Sequence, residues 1–242
     1  MTSAPRGAVA EHLDRQTRFD PSAVHGLPEP ARRWLVHSVA GDTPMYTRVD
    51  LELEGHLKLG SWRRFTARQT IRPHYGYSWS ATTHVATLPV SGVESMSPAT
   101  ARKIWQAAGL FPVVRVQGPE LLNSAAGRLA AESFFVPTAF SLASWETTAD
   151  LESAFATWRL GARVDRVRID VAPSGRLRSV ALRRWGSPPG ARYARHPFSL
   201  RFEEELDVGG VLIPRTFTAH WGAERPDDGA FMRAQVVAAH FS

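Results

Sequence analysis

The sequence predicts a mainly β protein: one large curved antiparallel sheet or open barrel of about 9–10 strands, with two or three helices covering one side or mouth. Three observations predict it. Val49, Leu51, Leu53, Gly55, Leu57 and Leu59 alternate with Asp50, Glu52, Glu54, His56 and Lys58, the period of a half-buried strand. Runs of the same period recur to the end of the chain. No Gly/Ser/Pro-rich linker divides them, and 242 residues suffice for one well-buried β domain. The expected organisation is a flexible arm over residues 1–20 and a single β-rich domain over 21–242.

The elements follow in order. Leu27-Pro28-Glu29-Pro30 opens a short helix to about Val39, since proline is tolerated in a first turn and an acid suits the positive end of the helix dipole. The alternating run from Val49 is followed by Phe65, Ala67, Gln69 and Ile71, then by Tyr75, Tyr77, Trp79, Ala81, Thr83 and Val85. Short turns between them predict an antiparallel meander. Ser97-Pro98 resembles a helix start, and 97–108 fits either a helix or a strand, with a strand reading at 111–116. Pro119-Glu120 opens a second helix that ends before Pro137. Strands then return near 154–160, 167–171, 177–185, 198–206, 211–221 and 231–241.

Composition narrows the chemistry. Apolar residues make up 43% and charged residues 21%, which excludes a disordered chain. There are no cysteines, which excludes disulfides, thiolate metal sites and cysteine nucleophiles. With an N-terminal stretch that lacks a signal-like apolar core, this predicts a cytoplasmic protein. The nine histidines are scattered, with no HExxH pair, and no glycine-rich phosphate loop or GxSxG elbow is present. No metal and no cofactor are therefore expected. The formal charge of +6 is uneven: residues 159–201 hold 11 Arg and only Asp165 and Asp170 as acids. Arg166, Arg168 and Asp170 alternate with Val167, Ile169 and Val171, so the patch reads as a solvated strand face.

At Gly127-Arg128-Leu129-Ala130-Ala131-Glu132 and Val136-Pro137-Thr138-Ala139, the sequence resembles a bacterial family of unknown function. The resemblance covers most of residues 27–242. It includes the stretch 27–35, the Gly55 strand, Trp62 with 65–69, and Trp79-Ser80-Ala81. Trp145, Arg184-Trp185-Gly186, His196-Pro197-Phe198, 209–214, Trp221 and Phe231-Met232-Arg233 complete it. The resemblance implies a curved antiparallel sheet around an apolar cavity, as in periplasmic lipoprotein carriers. Family members are Gly- and Asp-rich where this chain has GVESMSPATARKIW over 92–105, which implies a different ligand if that stretch gates the cavity.

The candidate residues follow from pattern. Arg128 and Glu132 lie four apart on one helix face, the spacing of an ion pair. Across the mouth of a sheet, such a pair can orient a polar ligand group, and in an enzyme Glu132 would be the acid or base. Eight tryptophans is a high count, and Trp79, Trp145, Trp185 and Trp221 are candidates to line an apolar site. Gln69, Glu204 and Arg215 sit at otherwise apolar phases of their strands, where a polar group needs a partner or a wet cavity. The function expected is binding of a small apolar or amphipathic molecule, as a carrier or sensor. The alternatives are a cofactor-independent cyclase or isomerase using Glu132 and Arg128, and an interaction module. The last would meet an anionic partner through Arg166, Arg168, Arg176, Arg178 and Arg183. Neither nucleic acid nor a membrane span is expected.

Overall fold

A computed structural model describes residues 18–141, 143–222 and 229–242. Most of the expected N-terminal arm, residues 1–17, lies outside the described residues. Its end is packed: Phe19 is buried, and its backbone pairs with Asp42 and Thr43.

The first half of the chain is a six-stranded meander: β1 (Val49–Leu59), β2 (Ser61–Arg72), β3 (Gly76–Val85), β4 (Leu88–Met96), β5 (Ala101–Ala107) and β6 (Phe111–Gln117). The second half gives β7 (Ser144–Thr147), β8 (Ser153–Leu160), β9 (Arg163–Val171), β10 (Leu177–Gly186) and β11 (Ala194–Phe202). A small hairpin, β12 (Glu205–Val208) with β13 (Val211–Pro214), leads to β14 (Thr216–Trp221) and β15 (Ala230–Phe241). β15 pairs with β1, so the two halves fuse into one 13-stranded antiparallel sheet with β6 and β7 at its edges. The sheet curls into a half-barrel with an amino-terminal arm, β1–β6, and a carboxy-terminal arm, β7–β11, β14 and β15.

The mainly β class is as expected, and the sheet is larger than the periodicity counted. The choice left open over 97–108 falls to strand: Met96 pairs with Ala101 and Val90 with Ala107, making that stretch strand β5 of a hairpin with β4. Ala and Lys are good helix formers, but pairing on both sides of β5 overrides that preference. The runs expected at 198–206 and 211–221 each break in two, near Glu203-Glu204 and at Arg215.

Two helices lie on the concave side. In α1 (Glu29–Ser38), Ala31, Trp34, Leu35 and Ser38 form one buried stripe at three-to-four spacing. Glu29 stands in the first turn and His37 in the last, and His37 Nε2 lies 3.0 Å from Glu205, tying α1 to β12. The helix stops where Val39 turns extended and bridges to Val211. The second helix, α2 (Pro119–Glu132), starts with proline at its first position and has Ala125, Ala126, Ala130 and Ala131 buried. Such small residues let the sheet approach from several sides. α2 touches β3–β6 of one arm and β9 and β10 of the other, so it plugs the trough between them. Two 3-10 turns follow it and carry Phe134, Phe135 and Phe140 into the core. Phe134 and Phe140 stack at 4.1 Å, with Trp34 against both. Where an enclosed cavity was expected, the centre of the concave side is filled by these rings.

Candidate functional site

The plug meets the amino-terminal arm through one buried polar cluster. Its centre is Arg128, on the face of α2 that looks at β2–β4. Arg128 Nε donates to Glu132 Oε1 at 2.8 Å, and Nη1 lies 3.3 Å from Glu94 Oε1 on β4. The other Glu132 oxygen accepts from Gln69 Nε2 at 2.5 Å. The Tyr77 hydroxyl donates to Glu94, and Lys103 Nζ stands 3.5 Å from the second Glu94 oxygen. The guanidinium lies 4.8 Å from the Tyr77 ring centre and 5.4 Å from that of Trp79, within cation–π range.

These groups share a face because the strands put them there. Gln69 pairs with Trp79, Trp79 with Glu94, and Glu94 with Lys103, all on the concave side. Burial acts to raise the Glu94 pKa. The charges of Arg128 and Lys103 and the Tyr77 hydrogen bond outweigh it and hold the carboxyl at about 2. Burial likewise works against the charge of Arg128, but its two carboxylates prevail and push its pKa up. Burial first, then the nearby Glu94 charge, drives the Tyr77 phenol well above its ordinary range.

Arg184 on β10 closes the other side of the plug. Its Nε donates to the Ser124 carbonyl at 3.1 Å, and its guanidinium stands 4.7 Å from the Phe198 ring and 5.0 Å from the Trp221 ring. Burial lowers its pKa. Gly127 makes this crossing possible, since a Cβ there would come within 2.9 Å of Arg184 Cγ. The helix stretch Gly127–Glu132 thus holds one arginine of the sheet against its glycine and sends one of its own into the opposite arm.

The inward row of the amino-terminal arm continues past the plug. Its pairs are Leu59 with Ser61, Val85 with Leu88, Val90 with Ala107, Gly92 with Trp105, and Trp105 with Val114. Trp105 lies across β4, where a Cβ on Gly92 would fall 2.5 Å from its ring, and it packs 5.7 Å from Trp79. Beyond it this apolar row is open: Leu59 is 39% exposed, Val85 40%, Leu88 45%, Val114 37% and Phe111 68%. The Trp79 indole N–H, at the inner end of this trough, is buried with no acceptor among the described residues.

The predicted site residues divide. Arg128, Glu132, Gln69 and Trp79 come together. Trp145, half-buried on the edge strand β7, packs on Trp34 and Phe140 and donates to the Phe140 carbonyl. Trp185 donates to Glu120 at the start of α2. Trp221 touches the far side of the plug through Arg184. Glu204 and Arg215 lie at the strand breaks, exposed, with their charged atoms 3.9 Å apart. The breaks reset strand parity, so their apolar phase did not carry them inward. The arginine-rich face is laced with acids from neighbouring strands and loops. Arg166 pairs with Glu146, Arg168 with Asp150 and Asp170, and Arg178 with Glu152. Arg176 and Arg183 donate to backbone carbonyls. Glu94, Lys103, Trp105 and Tyr77 were missed as site residues. The period-two row Val90, Gly92, Glu94, Met96 carried a signal for Glu94, a charge at an inward phase. Among the described residues no group of three or more His, Asp or Glu is placed to hold a metal, and no helix is long and apolar enough to cross a membrane. Three grooves of about 540, 530 and 370 Å3 are lined mainly by outward-facing strand residues, and only the third includes a residue of the cluster, Gln69.

Fold and site together define a half-barrel β-sheet protein whose trough is half closed by a helical plug. The chain belongs to a family of unknown function, DUF6544, whose model matches residues 17–234. Comparison with functionally curated proteins yields no match. Among solved structures it is similar to a Vibrio parahaemolyticus domain assigned to outer membrane lipoprotein sorting, with 10% identity, 90% of this chain and 93% of that chain covered, and a TM-score of 0.49. It is also similar to a LolA superfamily protein from Nitrosomonas europaea, with 9% identity, 91% and 92% covered, and a TM-score of 0.43.

Proposed function

We propose that this protein is a non-catalytic, cytoplasmic binder of a small amphipathic molecule, whose apolar part lies in the open trough of the amino-terminal arm. The observation that carries the reading is the uncovered inward row. Leu88, Phe111 and Val114 have the chemistry and strand phase of core residues, yet nothing in the described structure covers them. A ligand tail laid on Trp105 and Val114 would remove that surface from water. Its polar head would reach Lys103 and the unfilled Trp79 N–H. Binding is favoured over catalysis because Glu132 and Arg128 are already committed: both carboxylate oxygens and two guanidinium nitrogens are engaged with protein groups.

The test is titration with a fluorescent fatty-acid analogue, read by its emission and by quenching of tryptophan. Val114→Glu puts a charge in the trough and should weaken binding at least about tenfold. Val93→Glu, an exposed position on the outward face of β4, should leave it unchanged. Equal affinities for both variants and the parent protein would sink the reading.

A further inference from the structure

We propose that the three hairpin tips at the open end of the trough dock on an anionic lipid surface. In a meander, alternate turns fall at the same end of the strands. The β1–β2, β3–β4 and β5–β6 turns therefore stand together at one rim. That rim is apolar, and no other element covers it among the described residues. Leu110 is 76% exposed, beside Phe111, Leu88, Val85 and Leu59. Monomeric proteins seldom expose large side chains in such a row without an interaction to bury them.

The charge around the tips selects the occupant. Residues 56–64 read HLKLGSWRR, 83–91 read THVATLPVS, and 105–113 read WQAAGLFPV. These windows contain Lys58, Arg63 and Arg64 and no Asp or Glu. All three cations stand at the β1–β2 tip, the other two tips are apolar and uncharged, and no acid lies in any of the three; one basic tip beside two apolar ones complements the headgroup layer of a membrane carrying anionic lipid. Two tips also narrow to fit shallow insertion. Ala86 and Ala108 take left-handed φ values of 54° and 51°, which closes each hairpin in a tight turn. The orientation has a consequence for the trough. Docked on its rim, the trough would open directly onto the bilayer, and an apolar tail could pass between them without crossing water. That consequence rests on the binding reading above; the docking itself does not.

The experiment is co-sedimentation of the protein with vesicles of phosphatidylcholine alone and of phosphatidylcholine mixed with phosphatidylserine. The parent protein should bind the anionic vesicles, and binding should weaken as salt rises. The double variant Leu88→Asp/Leu110→Asp should bind them at least about tenfold less. Its thermal unfolding should stay close to the parent's, because both side chains are exposed, Leu110 at 76% and Leu88 at 45%. No vesicle binding by the parent, or equal binding by the double variant, overturns the proposal. So does self-association of the parent that the variant abolishes, which would make a second copy the occupant. Val114→Glu separates the two readings. If it loses the fatty-acid probe and keeps the vesicles, the two sites are distinct and both readings stand. If the parent binds the probe but no vesicle, docking alone is wrong. If it binds vesicles but no probe, the trough reading alone is wrong.

Discussion

The two arms of the sheet are written in the same period-two pattern and end in different states. In the carboxy-terminal arm the inward row is closed to water along its length: Ala154, Ala156, Trp158 and Leu160 on β8, Val167, Ile169 and Val171 on β9, Phe198, Leu200 and Phe202 on β11. In the amino-terminal arm the row starts equally buried, at Ile71, Tyr77 and Met96, and emerges at Val85, Leu88 and Phe111. Strand chemistry does not explain the difference. Cover does. α1 touches β8 and β9, and α2 touches β9 and β10, whereas the outer end of the amino-terminal arm has no element over it among the described residues. An alternating strand specifies which face is apolar; the rest of the chain decides whether that face becomes core or surface.

The comparison can be broken by substitution. The largest effect belongs under the cover. Phe134→Ala removes a fully buried ring that stacks with Phe140 and Trp34, and should cost about 3–5 kcal/mol in urea or guanidinium unfolding. A similar loss, about 3–5 kcal/mol, is expected for Arg128→Ala, because it leaves Glu94 buried without its main partner. Adding Glu94→Gln to that variant should recover part of the loss, since the stranded charge is then gone. If the second substitution instead adds to the first, the two groups are not coupled.

Acid sharpens the same contrast. Glu94 titrates near 4.5 when unperturbed and at about 2 in the folded protein. Its stabilisation is therefore complete above the ordinary value, falls as pH drops from there towards 2, and is gone below it. The size is roughly 3 kcal/mol. Stability measured against pH should show this decline in the parent and a flatter profile in Glu94→Gln. A parallel profile would place the acid sensitivity elsewhere. The smallest effect is expected at the open row. Phe111→Ala should change stability by less than about 0.5 kcal/mol, although it deletes as large a ring as Phe134→Ala. A loss comparable to that of Phe134 would mean that the row is covered in solution.

Much of this was readable from residue order. The alternation of Val49 to Leu59 marks β1 to the residue, and the four-residue spacing of Arg128 and Glu132 marks the plug's ion pair. The partners across the sheet were harder to see. β5 carries Ala101, Lys103, Trp105 and Ala107 inward and Arg102, Ile104 and Gln106 outward, so neither face is cleanly apolar. With Ser97-Pro98 ahead of it, that composition fits helix as well as strand, so the inward phase of Lys103 and Trp105 was not legible. The arginine-rich segment reads correctly as a solvated strand face, but its ion pairs were not legible for a related reason. Its neutralising acids, Glu146, Asp150 and Glu152, precede it in sequence and meet it only in space.

The pairing of β1 with β15 has a kinetic meaning. Each half of the sheet is built mostly from hairpins between neighbours in sequence, which close quickly at small entropic cost. The seam between the halves joins Leu57 to Met232 and Val49 to Phe241. It is the register of greatest sequence separation in the sheet, and the chain between must be largely in place before the seam rewards it. By topology, closure of this seam, more than any local turn, is expected to set the time the chain takes to fold.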